Sequence, residues 1–359
     1  MSKRHAVVLC GGRGTRFWPK SRTATPKQIL PIVSDQSLIK DVADRLRPVL
    51  PQENLWLLTT PRLVDVLRSH VDFIPPKQFL CDPVPRNTAP ILGMAAVYLE
   101  HRTPGAVMGS FHADAAIGQV GKFRKLVRAA YRLAERNDVL VTLGVAPRSP
   151  HTGFGYICAG ELIDTLGGFT AHKVARFKEK PSRSTARKYV AAGNYYWNTG
   201  MFFWKCRTFL DAIAKYLPDV YEELELIRAS IGTRKEKRTI EECFERMRKV
   251  SVDHGILEKA CNIAVLTTDL DWDDVGSYST LYEYWPADKD GNRVRGNAIT
   301  VNSENVLIDS PDRLVAAVGI KDIMIVDTGD AVLVCHRDAG QDVGRVVDEL
   351  ERRNRTEYL

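Results

Sequence analysis

Residues 1–285 predict an α/β fold, a mixed but mostly parallel sheet with helices on both faces. Residues 286–359 predict a small β-rich C-terminal domain. Two observations carry the first part. Short β-branched apolar runs alternate with segments of helical spacing, and the turns between them hold Gly, Pro and Asp. A third carries the second part: beyond a polar break, the apolar runs become short and evenly spaced.

The first strand is residues 5–10 (HAVVLC), stopped by Gly11 and Gly12. Leu38, Val42, Leu46 and Val49 have helical spacing, and 55–60 is a second strand. Pro61 starts a helix with Leu63, Val66 and Leu67 on one side, and Pro90 opens another through Met94, Val97 and Tyr98. The strand 106–111 ends at His112, Ala113 and Asp114. Phe123, Leu126, Val127, Ala130 and Ala134 then trace a helix face before the strand 139–145. This alternation implies right-handed βαβ units, in which ligands bind beyond the C-terminal ends of strands. The glycine loop at 11–14 and Asp114 both lie at such ends. From about 150 to 285 the pattern mixes strands near 154–158, 173–178 and 200–205 with helices near 184–192 and 207–217. The stretch 222–249 reads as a polar helical segment, a solvated face. A break follows at 286–297 (PADKDGNRVRGN). The runs 298–301, 306–308, 314–318, 323–326 and 332–335 suggest a stacked or coiled β unit, and 343–351 reads as a helix.

Composition narrows the function. Among 359 residues, Lys+Arg 51 against Asp+Glu 44 gives +7, and the pI is about 9.0. Apolar residues at 44% and charged residues at 26% exclude a disordered chain, a collagen-like fibre and a coiled coil. No apolar stretch reaches the ~18–20 residues of a membrane span. The N-terminus enters a strand pattern at once rather than a secretory apolar region, so a cytoplasmic address with no membrane partner is expected. The positive charge is scattered, which argues against nucleic acid and suits small polyanions. The seven cysteines (Cys10, Cys81, Cys158, Cys206, Cys243, Cys261, Cys335) form no C-x-x-C pair and read as buried reduced thiols. A homodimer is the default assembly.

The chemistry concentrates in Gly11-Gly12-Arg13-Gly14-Thr15-Arg16-Phe17-Trp18-Pro19, continuing to Pro26-Lys27-Gln28. Glycines straight after a strand let the backbone approach a phosphate chain and aim several N–H groups at it. Arg16 and Lys27 add two fixed cations, as a triphosphate demands. The spacing fits neither a dinucleotide fingerprint nor a P-loop.

This segment resembles the signature of sugar-1-phosphate nucleotidyltransferases, and its Trp-Pro and Pro-Lys-Gln forms resemble bacterial mannose-1-phosphate guanylyltransferases. Five further motifs follow in the family's order. They are Pro85-Arg86-Asn87-Thr88-Ala89-Pro90, Thr152-Gly153-Phe154-Gly155-Tyr156-Ile157, Phe177-Lys178-Glu179-Lys180-Pro181, Trp197-Asn198-Thr199-Gly200-Met201-Phe202 and Trp272-Asp273-Asp274-Val275-Gly276-Ser277. The resemblance implies a Rossmann-like nucleotidyltransferase domain that joins GTP to mannose 1-phosphate, giving GDP-mannose and pyrophosphate. Arg16 and Lys27 would be catalytic. Gly11, Gly12, Gly14, Thr15, Asp82, Asn87, Thr88 and Ala89 would bind the nucleotide, with Asp82 accepting from guanine N1 and N2. Gly155, Tyr156, Glu179, Lys180 and Asn198 would bind the sugar phosphate. Asp114 and Asp274 would hold Mg²⁺, with Asp271 and Asp273 as decoys. Around Asp114 the order Phe111-His112-Ala113-Asp114-Ala115 departs from the family's pattern. The attacking group is a phosphate oxygen, already ionised because its second pKa is ~6, so no catalytic base is required. Another sugar 1-phosphate (a manno-heptose or glucose) is one alternative reading. A non-catalytic nucleotide-sugar-binding regulatory subunit is another.

Overall fold

The structure is a computed structural model, and it describes residues 3–359. Its first half alternates strand and helix: β1 (Arg4–Leu9), α1 (Leu38–Leu46), β2 (Leu55–Thr59), α2 (Val64–Arg68), β3 (Phe79–Cys81), α3 (Thr88–Arg102) and β4 (Val107–His112). The short β5 (Ala116–Ile117), α4 (Val120–Arg136) and β6 (Leu140–Val145) follow. A long hairpin of β7 (Tyr156–Leu166) and β8 (Phe169–Lys178) turns at Gly167 and Gly168, both at positive φ. Next come α5 (Arg183–Ala192), β9 (Tyr195–Lys205), α6 (Cys206–Tyr216), α7 (Pro218–Ser230), α8 (Glu236–Arg246), β10 (Ile263–Thr268), β11 (Trp272–Asp273) and α9 (Leu281–Tyr284). The C-terminal part holds β12 (Arg293–Val301), β13 (Leu307–Val318), β14 (Ile323–Asp327), β15 (Val332–His336) and α10 (Gly344–Arg352).

Nine strands form one sheet in the order β3-β2-β1-β4-β9-β6-β10-β8-β7. Only β8 and β9 run against the rest, which makes the sheet mixed but mostly parallel. Alternating side chains of the strands enter two cores. Ala6 and Val8 belong to the core covered by α1, α2, α4 and α5, whereas Val7 belongs to the core covered by α3, α6, α7 and α8. The alternation is what a sheet covered on both faces requires. Where β9 meets β6 the register shifts between Thr142 and Gly144, and Gly200 sits at φ 71. That irregularity carries the Asn198 motif at the C-terminal ends of the parallel strands.

Four expectations change. The stretch 222–249 is not one solvated face. It is two amphipathic helices that bury Leu224, Ile227, Cys243 and Phe244 on α3's side of the sheet. The break at 286–297 ends sooner, because Arg293–Val301 pairs along β13 despite its polar residues. The runs 306–308 and 314–318 join in one strand, β13. Of the cysteines, all free, Cys10, Cys206 and Cys243 are buried, Cys81, Cys158 and Cys335 are half-buried and Cys261 is exposed.

β12, β13 and β14 pair in parallel and β15 closes the four-stranded sheet antiparallel. One face of that sheet (Leu307, Met324, Val326, Leu333) joins Phe17, Trp18, Tyr278 and Leu281 in a third core. No helix among the described residues is long and apolar enough to cross a membrane.

Candidate active site

The chain leaves β1 into an exposed glycine loop, Gly11–Gly14. Gly14 has φ 61, and a Cβ there would stand 2.5 Å from the Cβ of Lys27 and 2.9 Å from Ser21 Oγ. Only glycine fits both demands. Ser21 Oγ donates to the carbonyl of Arg13 (2.8 Å), and the Gln28 amide donates to the carbonyl of Gly11 (2.7 Å). These bonds engage the loop's carbonyls, while no main-chain N–H of Gly11–Gly14 reaches a protein acceptor among the described residues. Such amides are a ready anion site.

Lys27, though buried, donates from Nζ to Asp114 Oδ2 (2.9 Å) and to the carbonyl of Asp274 (3.3 Å). Burial would raise the Asp114 carboxyl, but Lys27 and then His112 hold it below the usual carboxylate range. The Asp274 carboxyl is raised, first by burial and then by the neighbouring Asp114 charge, with Lys27 and Arg16 opposing. Two carboxylates and two cations therefore share one spot. Asp273 instead accepts from the Val275 amide (2.7 Å) in the turn, and Asp271 pairs with Arg148 (3.1 Å).

Opposite lies a polar recess of about 260 Å³, with Gly155, Glu179, Lys180 and Asn198 in its wall beside Arg16, Lys27, Asp114 and Asp274. Lys180 Nζ donates to Glu179 Oε1 (2.8 Å). The Asn198 amide is locked: its oxygen accepts from Thr142 Oγ1 (3.0 Å) and the Gly200 amide (3.2 Å), and its nitrogen donates to Asp253 Oδ1 (3.0 Å). A Cβ at Gly155 would collide with Glu179 Oε2.

A second cavity, about 820 Å³, lies on the other side of the loop. Gly12, Arg13, Thr15, Pro83 and Pro85 line it, together with Val347, Glu351 and Leu359 from the C-terminus. Asp82, next to Pro83, is buried. Its Oδ2 accepts from the Arg86 amide (3.3 Å), its Oδ1 has no partner among the described residues, and burial pushes it up to about 6. Asn87 is exposed at φ 71 and caps α3 by accepting from the Thr88 amide (2.8 Å).

Arg16, Lys27, Asp114, Asp274, Gly155, Glu179, Lys180 and Asn198 thus converge, and Gly12 and Thr15 face the adjoining cavity. Three of the expected residues are engaged within the protein. Tyr156 is fully buried, donating to the carbonyl of His151 (2.9 Å), so it supports the 149–154 loop from beneath. Ala89 is also fully buried, its amide bonded to the carbonyl of Val250 (3.1 Å), and Thr88 Oγ1 accepts from the Val252 amide (2.9 Å). Both tie the start of α3 to the segment before β10 because helix N-terminal donors and nearby chain need partners. Sequence reasoning missed Asp253, pushed up to about 6 by burial and then by Glu179, and assigned no role to His112, which lies under Gly200. A lone Asp in SVDHGILEKA carries no spacing signal. Its importance arises only because β9 delivers Asn198 beside it.

A mixed α/β sheet with a glycine loop, paired cations and facing carboxylates defines a phosphate-handling transferase class. A family model described as nucleotidyl transferase matches residues 5–291, and one described as a MannoseP isomerase/GMP-like beta-helix domain matches residues 296–350. The chain belongs to the nucleotidyl transferase family. It is 36% identical over 362 residues to a mannose-1-phosphate guanylyltransferase of Escherichia coli, covering 98% of this chain and 75% of that protein. It is 33% identical over 355 residues to the xanthan biosynthesis protein XanB of Xanthomonas campestris, covering 98% and 74%. A solved structure described as a mannose-1-phosphate geranyltransferase from Thermus thermophilus superposes with a TM-score of 0.87 at 29% identity, covering 98% of this chain and 100% of that one.

Proposed function

We propose that the chain is a mannose-1-phosphate guanylyltransferase: it transfers GMP from GTP to α-D-mannose 1-phosphate, releasing pyrophosphate and forming GDP-mannose. The observation that carries this reading is the placement of Arg16, Lys27, Asp114 and Asp274 between the glycine loop and the Glu179–Asn198 recess. A triphosphate on the loop amides would meet a sugar phosphate in the recess at those four side chains. The sugar phosphate supplies its own ionised oxygen, so the protein's task is alignment and charge neutralisation. Glu179 and the locked Asn198 amide would hold sugar hydroxyls, and Lys180 the sugar phosphate. Arg16 and Lys27 would take the charge that builds on the departing pyrophosphate.

The carboxylates of Asp114 and Asp274 fit a Mg²⁺ ion. They are hard oxygen donors, Lys27 meets the Asp114 carboxylate and the Asp274 main-chain carbonyl, and a dication would offset both the burial that raises the Asp274 carboxyl and the repulsion from Asp114. No three His, Cys, Asp or Glu converge among the described residues, so phosphate oxygens would complete the shell. Bound there, Mg²⁺ would screen phosphate charge and fix its geometry. The reading takes the cytoplasm as the site of the reaction, a homodimer as the assembly, and 1–285 and 286–359 as the two domains.

A pyrophosphate-release assay crossing four nucleoside triphosphates with a panel of sugar 1-phosphates tests it. GTP with mannose 1-phosphate should give the highest kcat/KM, and Asp274→Asn should lower kcat at least ~100-fold with the fold intact. A better pair, or a near-full rate without the Asp274 carboxylate, would overturn the assignment or the role.

A further inference from the structure

The signature loop does not stand alone: the C-terminal segment holds two of its cations. Arg16 Nη1 donates to Gln341 Oε1 (2.7 Å), and Arg13 Nη2 pairs with Glu351 Oε1 (2.6 Å) on α10. The Trp18 indole donates to the carbonyl of Tyr358 (2.9 Å), and Gly344 packs so closely that a Cβ there would be 3.2 Å from Thr15 Oγ1. The two tethers differ in charge. Gln341 is neutral and fixes Arg16 near Asp274: the point where a Gly276 Cβ would sit is 3.4 Å from Arg16 Nη1 and 3.1 Å from Asp274 Oδ1. Glu351 is an anion lining the same cavity as Gly12 and Thr15.

We infer that Gln341 is a positioning residue for Arg16, and that Glu351 is a placeholder anion on Arg13 which an incoming polyphosphate displaces. The inference rests on the functional reading above. Arg13 and Glu351 are 59% and 43% exposed, and exposed ion pairs are weak. A polyphosphate offers Arg13 several oxygens in bidentate geometry and outcompetes one carboxylate. Meanwhile Glu351 neutralises Arg13, as Asp309 and Asp330 neutralise Lys20 and Arg22 further along the same segment. Arg13 thereby joins the residues that grip the triphosphate. The C-terminal segment becomes part of the nucleotide site rather than an appendage.

The test uses the full chain with Glu351→Gln and Gln341→Ala. Calorimetric titration with inorganic tripolyphosphate should show Glu351→Gln binding about three- to fivefold tighter than the parent at low salt, the gain shrinking as salt rises. Its KM for GTP should fall by a similar factor, with the KM for mannose 1-phosphate unchanged. Gln341→Ala should lower kcat about tenfold while both KM values and the melting temperature stay near the parent's. Unchanged or weaker tripolyphosphate binding by Glu351→Gln overturns the placeholder role. A Gln341→Ala variant that melts early with kcat retained overturns the positioning role. Tighter tripolyphosphate binding upholds the inference even where no sugar phosphate is turned over, a result that would count against the functional reading alone.

Discussion

Asp82 has its carboxyl buried with one oxygen unpartnered among the described residues, and burial pushes it from 3.8 up to about 6. Its folded-state pKa lies above its unfolded value, so the folded chain keeps a proton that the unfolded chain releases between pH 3.8 and 6. The stability present at low pH is therefore lost as pH rises through 6. Replacing Asp82 with Asn should stabilise the protein by up to about 3 kcal/mol at neutral pH, two pKa units at ~1.4 kcal/mol each. Denaturant titrations should show that gain growing from pH 4.5 to 7 and then levelling. A gain independent of pH would refute the buried-carboxyl account. The same substitution should raise the KM for GTP more than that for UTP or ATP. A stability cost retained for a ligand is what a binding carboxylate looks like.

The glycine loop was the most legible segment, because Gly, Arg, Pro and Lys at fixed offsets after a strand have one shared physical purpose. Gly14 shows why the offsets matter, since its positive φ and the adjacent Lys27 Cβ each exclude a side chain. Gly14→Ala should lower kcat/KM by ~100-fold or more, adding left-handed strain of ~1–2 kcal/mol to displacement of Lys27. Gly11→Ala, with open space around its Cβ and no positive φ, should lose much less. Steady-state kinetics on the two variants decides it, and equal losses would reject the steric argument. Elements of mean polarity were less legible. The segment carrying α7 and α8 looked solvated because charges outnumber apolar residues, yet Leu224, Ile227 and Phe244 recur on one side and are buried. Asp253 was illegible for another reason: its meaning comes from Asn198, 55 residues away on β9, and no local pattern records that contact.

The fold's two parts share a core, and that has consequences beyond the loop. Leu307 and Met324 of the C-terminal sheet, both fully buried, pack with Phe17, Tyr278 and Leu281, and the Tyr278 hydroxyl donates to the carbonyl of Phe17 (2.7 Å). Arg22 reaches Asp330 (3.1 Å), and Arg295 donates to the carbonyl of Pro31 (2.5 Å), tying the same strand system to the segment after the loop. An apolar cluster built from both ends of the sequence cannot lose one contributor without opening the other to water. Melting should therefore be one cooperative transition. Leu307→Ala should lower stability by about 2–5 kcal/mol, the range for a buried leucine that leaves a cavity. Because that cavity would adjoin Phe17, at the foot of the glycine loop, the KM for GTP should rise alongside the loss of stability, while the KM for mannose 1-phosphate should move less. Scanning calorimetry that resolves two transitions, with the substitution shifting only one, would show the parts to be independent.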